Sequence, residues 1–343
     1  MRKYLAWFIC FLAVNSVLAE ENVLNVYAWS GYLSENVIQQ FEKETGIRIN
    51  HSTYINNEIL YAKLKANPYA GYDIAIPSTY FISRMIKQNL LQKIDKSKIK
   101  SLKNIDPNFL NKEYDVGNSY SVPYLWNATG IAINKKYHLI DSIKSWKDLW
   151  DSRYENQLLV LDDTRELFSV ALMVLGFPVN DTNPDNIRKA FEKLKSLMSN
   201  IKLFNTDAQR SIYLDEDITL GMAWNGDIYL AQQENPNLHL IYPDEGFVIS
   251  LDCLVIPKGA LHVENAHRFI NFILRPEIAK QVSLDSGFST PNQAALKLLP
   301  ESISTHPVLY PSARLMKKGK LQAEVGNTAT VYEKYFEQLK LEN

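Results

Sequence analysis

The chain has 343 residues, of which 46% are hydrophobic and 22% are charged, so it can bury a large core and is not intrinsically disordered. Its 37 basic and 38 acidic side chains give a net charge of −1. This balance argues against a nucleic-acid-binding protein, which would carry a strongly basic domain or stripe.

The first residues have the layout of a secretory signal peptide. Arg2 and Lys3 precede the apolar run Tyr4–Val14, and Val17–Ala19 supplies small or apolar residues before Glu20. An apolar run of this length rises only ~16 Å as a helix, too short for a ~30 Å bilayer core. We therefore predict that residues 1–19 are cleaved near Ala19 and that the chain is exported.

Cysteine usage predicts no internal disulfide. Cys10 lies within the predicted signal peptide, and Cys253 lies in the apolar run Leu251–Pro257. Because a disulfide needs two thiols, Cys253 is expected to be a small buried core residue instead.

Strands and helices alternate at the start of the predicted mature chain. Strands are predicted at Leu24–Trp29, Ile47–Tyr54 and Tyr72–Pro77. Helices are predicted between Ser34, the expected N-cap, and Gly46, and over Glu58–Ala66 and Phe81–Gln88. This order predicts a parallel sheet with helices on its faces.

The remaining chain continues the pattern. Further strands are predicted at Ser121–Leu125, Gly130–Asn134, Gln157–Leu161, Ile218–Trp224, Leu238–Tyr242 and Val248–Pro257. Further helices are predicted at Trp146–Trp150, Glu166–Leu175, Asp185–Met198, Ile228–Glu234, Asn265–Leu274, Glu277–Leu284 and Ala329–Leu341. The fold class is therefore α/β, and two lobes fit the length better than one.

Signatures of common enzymes and metal sites do not occur in the sequence. The six histidines are scattered, and one cysteine outside the signal peptide is too few for a structural zinc site. No motif of a serine hydrolase or a nucleotide-binding loop is found. We predict no catalytic residue, no metal and no cofactor. The neighbouring carboxylates Asp163 and Glu166 still leave a carbohydrate-active enzyme open as an alternative.

Aromatic and acidic residues follow several predicted strands, where open α/β sheets bind their ligands. These positions hold Trp29, Ser30, Tyr32, Ser78, Thr79, Tyr80, Asp162, Asp163, Glu166, Trp224, Asn225 and Gly226. Asp252 interrupts an apolar strand, where a carboxylate is costly without a positive partner. Each residue alone is explained by helix capping or core packing, but their joint placement indicates a ligand site.

The residue types suit an organic cation. Aromatic faces attract ammonium groups by ~0.5–2 kcal/mol and also bury methylene chains. Carboxylates form charge-assisted hydrogen bonds with ammonium groups. An alkyl polyamine needs both features at once.

Seven segments, in order along the mature chain, carry a family resemblance. They are Tyr27–Tyr32, Phe41–Ile47, Pro77–Tyr80, Asp162–Glu166, Met222–Gly226, Ile270–Pro276 and Thr290–Asn292. Here the chain resembles the periplasmic spermidine/putrescine-binding proteins of bacterial polyamine ABC transporters. The resemblance implies a monomeric, non-enzymatic protein of the periplasm that passes a polyamine to a membrane permease with a cytoplasmic ATPase.

The resemblance also implies a periplasmic-binding-protein-like fold whose two α/β lobes are joined by crossover segments and close over the ligand. Lobe 1 is expected to comprise residues 20–127 plus about 255–300, and lobe 2 residues 128–254 plus about 301–343. In the implied site, aromatic walls come from Trp29, Tyr32, Tyr80 and Trp224, anions from Asp163, Glu166 and Asp252, and lesser polar contacts from Ser30, Ser78 and Gln322. Phe288 is a further residue of the implied site.

Three positions depart from the family pattern. Gly31 stands where spermidine-binding members have an acid, and Ser250 stands where they have an aromatic residue. Phe288 replaces a tyrosine, so it keeps the ring and loses the hydroxyl. Spermidine, putrescine and related amines therefore all remain candidate ligands, and the three remaining acids favour spermidine slightly. A polyamine-loaded sensor that docks on a membrane signalling protein is a further alternative.

Overall fold

The computed structural model describes residues 22–341, so the predicted signal peptide and Cys10 lie outside the described residues. The strands are β1 (Val23–Trp29), β2 (Arg48–Tyr54), β3 (Ile74–Ala75), β4 (Ser121–Asn134), β5 (Leu158–Val160), β6 (Ile201–Phe204), β7 (Leu220–Trp224), β8 (Leu238–Ile241), β9 (Phe247–Val255) and β10 (Gly319–Leu321).

The α-helices alternate with these strands in the first part of the chain and follow one another at its end. They are α1 (Glu35–Thr45), α2 (Asn57–Ala66), α3 (Thr79–Lys87), α4 (Thr164–Val174), α5 (Pro184–Lys195), α6 (Gln209–Leu214), α7 (Asn225–Glu234), α8 (Val263–Ile273), α9 (Pro276–Ser286), α10 (Gln293–Leu296), α11 (Glu301–Ser304), α12 (Ala313–Met316) and α13 (Ala329–Leu341). The predicted helix Trp146–Trp150 is a 3₁₀-helix.

Local chemistry explains the boundaries of α1. The Ser34 side chain accepts a hydrogen bond from the Val37 backbone N–H, and Gly46 ends the helix with φ = 71°, a left-handed conformation that suits glycine. The prediction that these two residues bound the helix is confirmed.

The sheet runs in the order β2-β1-β3-β9-β4-β7-β5-β6, with β8 paired to β4 and β10 to β9. β1 is parallel to β2 and β3, and β5 is parallel to β7, as predicted. β5 is also parallel to β6, a strand that was not predicted. β9 and β4, however, are antiparallel to their neighbours β3 and β7 and to each other. The prediction of a parallel sheet is therefore wrong at the centre, where the two longest strands pair directly.

β4 is one fourteen-residue strand, although two short strands were predicted within it, and every residue in it is buried. Its residues up to Ala128 pack in a first hydrophobic core with β1, β3, α8 and most of β9. From Ile131 onward it packs in a second core with α4, α5 and α13 and, through its other face, in a small third cluster. Cys253 and Leu254 belong to the first core, although the predicted boundary assigns them to lobe 2. The lobe boundaries themselves stay a prediction.

Candidate functional site

The strand ends of the two large cores face one cavity, which we call the central cavity. It is lined by Trp29, Tyr32, Asn57, Ser78, Tyr80, Asn127, Asp163, Glu166, Trp224, Ser250 and Asp252. The structure thus brings together most of the predicted site residues, since β1, β5, β7 and the segment before α3 all end at this place.

Asp252 is the acid of β9, and it is 1% exposed. The Tyr32 hydroxyl donates a hydrogen bond to one carboxylate oxygen, and the Ser78 hydroxyl donates to the other at 2.5 Å. Burial raises the pKa of Asp252 to about 6, although both hydrogen bonds oppose this shift by favouring the ionised form. The carboxylate is therefore held in place on the wall of the central cavity by two neutral donors.

Asp163 and Glu166 lie one turn apart at the start of α4. Asp163 caps the helix, since its Oδ1 accepts hydrogen bonds from the backbone N–H groups of Arg165 and Glu166, both at 2.9 Å. Its Oδ2 lies 3.4 Å from the Tyr80 hydroxyl, which donates to it. Burial raises the pKa of Asp163 in spite of these donors. This end of the central cavity is strongly acidic.

Two hydroxyl groups, one from β4 and one from β9, donate hydrogen bonds to the Glu166 carboxylate. Thr129 donates to its Oε2 at 2.8 Å, and Ser250 donates to its Oε1 at 3.3 Å. Burial and the neighbouring Asp163 raise the pKa of Glu166 to about 8. Ser250, the departure noted in the sequence, therefore contributes a hydroxyl donor to this acid.

No ion pair neutralises these acids within residues 22–341. The charge of Arg165 opposes the rise in the pKa of Asp163 and Glu166. Its guanidinium, however, donates to Ala323 O, Val179 O and Asn180 Oδ1 and forms no ion pair with either acid. Buried carboxylates without a cationic partner are unfavourable. The arrangement is therefore suited to binding a cation from outside the chain.

Aromatic rings cover the acids on one side. The rings of Trp29 and Trp224 meet edge to face, with centroids 5.9 Å apart, and Trp29 also packs on Tyr54 at 4.8 Å. Tyr32 lies 5.5 Å from Phe288. Ring faces next to carboxylates form an environment that attracts ammonium groups and accommodates methylene chains.

A second cavity, the side cavity, shares Trp29, Tyr32 and Trp224 with the central one. Its other lining residues are Ser30, Tyr54, Ile55, Thr206, Asp207, Ala208, Asp227 and Phe288. Ser30 and Phe288 were predicted site residues, and the structure places them here. Gly31 lies between two lining residues, and a Cβ atom built on it would meet nothing within 4 Å.

Asp227 is a carboxylate of the side cavity that sequence reasoning missed. It lies in the first turn of α7, three residues after Trp224. Burial and the nearby Asp207 raise its pKa to about 7, while Arg210 opposes the shift. Asp227 directly follows Gly226, the last residue that we considered after the strand ending at Trp224. Extending the search by one residue would have identified it.

Two asparagines of the central cavity were also missed. Asn57 donates to Ser78 Oγ at 3.1 Å and to the Tyr80 hydroxyl at 2.9 Å, and thereby orients both. It follows β2, the one early strand whose end was not considered. Asn127, whose Oδ1 has no hydrogen-bond partner, lies in the middle of β4, where the sequence suggested a break.

Gln322 is not among the residues that line either cavity. It is 2% exposed, and its side-chain amide lies 3.5 Å from Ser169 Oγ, deeper along α4. The structure therefore does not bring this residue to the site as expected.

No group of three or more metal-ligating side chains occurs in the described part of the chain. Residues 22–341 likewise contain no helix with the length and apolar character needed to span a bilayer.

Comparison with known proteins places the chain among solute-binding proteins. Residues 36–309 match the family described as bacterial extracellular solute-binding protein. The spermidine/putrescine-binding periplasmic protein of Salmonella typhimurium is 43% identical over 340 residues, which cover 99% of this chain and 98% of that protein.

Solved structures share the fold. A protein from Listeria monocytogenes superposes with a TM-score of 0.91 at 34% identity, covering 94% of this chain and all of that one. The spermidine/putrescine ABC transporter substrate-binding protein PotD of Streptococcus pneumoniae gives 0.78 at 34% identity, covering 93% and 98%. The predicted two-lobe α/β fold class is confirmed by these structures. The relatives are binding proteins, in agreement with a non-enzymatic role.

Proposed function

The chain belongs to the family of bacterial extracellular solute-binding proteins, and on this basis we propose that it binds a polyamine between its two lobes. The observation that carries the proposal is the set of buried carboxylates at Asp163, Glu166 and Asp252, which have no ion-pair partner within residues 22–341 and lie beside the rings of Trp29 and Trp224. A chain of methylene groups with ammonium ends supplies the missing cations and fits against the rings.

In this proposal each predicted residue that lines a cavity has a role. Trp29, Tyr32, Tyr80, Trp224 and Phe288 contact the methylene chain. Asp163, Glu166 and Asp252 bind ammonium groups in the central cavity, and Ser30 and Ser78 are lesser polar contacts. Asp227 binds an ammonium group in the side cavity. A direct ligand contact by Gln322 is not part of the proposal.

Location and partners follow from the same proposal. The chain is exported to the periplasm after cleavage near Ala19, acts as a monomer, and delivers its ligand to an ABC permease with its ATPase. The names of its relatives support the ligand class and the transport role. Spermidine is the favoured ligand because the two cavities together offer carboxylates for more than two ammonium groups.

The enzyme alternative gains no support. Glycoside cleavage needs two carboxylates that flank the scissile bond. Asp163 and Glu166 instead lie one helical turn apart on one wall. The sensor alternative rests on no feature of the structure.

Calorimetric titration of the mature chain with spermidine, putrescine and cadaverine tests the proposal. We expect saturable binding of at least one amine with one site per chain. If none of the three amines gives a binding heat, the proposed function is refuted. Matched titrations with choline, a cation without N–H donors, control for nonspecific charge attraction.

A further inference from the structure

Arg84 joins the two cores across the outside of the cleft. It lies on α3, between Ile82 and Met85, which are buried in the first core. Its guanidinium lies 3.4 Å from Glu333 Oε1 and 3.7 Å from Glu324 Oε1.

Both glutamates are carried by the second core. Glu324 precedes Val325 and Glu333 follows Tyr332, and those two apolar residues are buried against α4 and α5. Arg84 therefore forms ion pairs that exist only while the two cores lie close together. We call Arg84, Glu324 and Glu333 the charge latch.

Arg84 and Glu324 of the charge latch are less exposed than the partners of an ordinary surface ion pair. The side chain of Arg84 is 18% exposed and that of Glu324 is 12% exposed. The guanidinium also lies over the rings of Phe81, at 4.9 Å, and Tyr61, at 5.3 Å. Partial burial reduces screening by salt, and ring stacking limits the entropy lost when the pairs form.

The charge latch lies outside the proposed ligand site. None of its three residues lines the central or the side cavity. They line instead a wider opening together with Glu58 and Lys87. Glu58 and Arg84 also border a smaller cavity that reaches Tyr80, one wall of the central cavity.

We propose that the charge latch holds the closed form shut and thereby sets how fast the ligand leaves, without contacting it. The inference rests on the proposed function, because it needs a ligand that leaves when the lobes open. A ligand stabilises the closed form by its differential contacts, and a latch adds to that stability from outside the site. Loss of the latch then raises the dissociation rate constant and leaves the association rate constant nearly unchanged.

The test is stopped-flow tryptophan fluorescence with spermidine on the full mature chain. We expect Arg84→Gln to raise the dissociation rate constant by roughly 3- to 10-fold, as two partly shielded ion pairs would. Glu333→Gln should raise the dissociation rate constant less than Arg84→Gln does. Because the two residues interact, the fold-change in the Arg84→Gln/Glu333→Gln double variant should be smaller than the product of the two single fold-changes.

Lys87→Gln is the matched control. It removes the same charge from the same helix and the same opening, but the exposed Lys87 has no ion pair in the structure. If Lys87→Gln changes the dissociation rate as much as Arg84→Gln, or if the Arg84 and Glu333 effects multiply independently, the latch is refuted. A change confined to the association rate would also refute it, since that would indicate repulsion of the incoming cation.

Two further measurements separate the possible failures. Glu324→Gln and Glu333→Gln test the latch from the second core should Arg84→Gln lower the melting temperature. A wild-type chain that binds no amine contradicts the proposed function, whereas amine binding with an unchanged dissociation rate in all latch variants contradicts only the latch.

Discussion

The Tyr32 hydroxyl donates a hydrogen bond to the Asp252 carboxylate, although the two residues are 220 positions apart in the chain. Ser78 donates to the other oxygen of the same group. These contacts join β9 to the segments after β1 and β3, and they fix the acid that we expect to meet an ammonium group of the ligand.

Replacing Asp252 by Asn should lower polyamine affinity by tenfold or more, about 1.4 kcal/mol, because the amide carries no charge. Calorimetry measures the loss, and the melting temperature shows that folding survives. Tyr32→Phe, which keeps the ring and removes one donor, should cost less than Asp252→Asn. Unchanged affinity in Asp252→Asn would remove this residue from the site.

Glu166→Gln should abolish tight binding and stabilise the free chain at pH 8. The folded free chain holds the Glu166 proton up to about pH 8, while the unfolded chain releases it near the usual pKa. The stability that this group contributes is present below the unfolded pKa and is lost as pH rises through about 8.

Glu166→Gln has no such loss of stability, so its melting temperature at pH 8 should exceed that of the wild type. Each kcal/mol of unfolding free energy gained should raise the melting temperature by about 2–4 °C. The difference should shrink towards pH 5. A variant that is less stable than the wild type at pH 8 would contradict the assignment of a buried, reluctantly ionised Glu166.

Polyamine binding should strengthen as pH rises from 5.5 to 8. An ammonium ligand favours ionised carboxylates, and the raised pKa values of Asp252, about 6, and Glu166, about 8, mean that protons must leave when it binds. The ligand amines stay charged over this range, as lysine does. Calorimetry at pH 6.5 in two buffers of different ionisation enthalpy should show net proton release, and no release would count against these acids as the ligand contacts.

Asp227→Asn should weaken spermidine more than putrescine. Asp227 lies in the side cavity, whereas Asp163, Glu166 and Asp252 lie in the central one, so a longer triamine reaches it more readily. Competition between the two amines measures the ratio of affinities. Equal losses for both amines would show that a diamine already spans the two cavities.

Tryptophan fluorescence should report ligand binding through two residues. Trp29 and Trp224 line both cavities, and their indole N–H groups are buried without a hydrogen-bond partner. Trp29→Phe and Trp224→Phe should each reduce the amplitude of the fluorescence change. Trp150→Phe is the control, because Trp150 packs against the second core and its indole donates to Lys193 O. A full signal in the Trp29→Phe/Trp224→Phe double variant would place the ligand elsewhere.

The sequence predicted the residues that line the central cavity better than the sheet that positions them. Trp29, Tyr80 and Asp163 were found because a strand end is visible as an apolar run that stops at aromatic or acidic residues. The pairing of β4 with β9 was not visible, because antiparallel pairing between strands more than one hundred residues apart leaves no local pattern. The strands Ile201–Phe204 and Gly319–Leu321 were also missed, because runs of 4 and 3 residues are too short to show a strand pattern.

Gln322 and Asn57 show the limits of both kinds of reasoning. Gln322 was expected in the site from the resemblance alone, with no local signal. Its side chain contacts Ser169 of α4 and lines neither cavity. Asn57 reads as an ordinary first helical residue, and only its contacts with Ser78 and Tyr80 reveal its place in the site.

β4 exchanges its partner strand between two successive residues, since Ala128 pairs with Ile249 of β9 and Thr129 pairs with Trp224 of β7. We expect a rotation at this junction to change the angle between the two halves of the strand, since each half keeps its own ladder of hydrogen bonds. Contacts across the cleft, such as those of Arg84, would then set the balance between the open and closed forms, and substitutions there would change the residence time of the ligand.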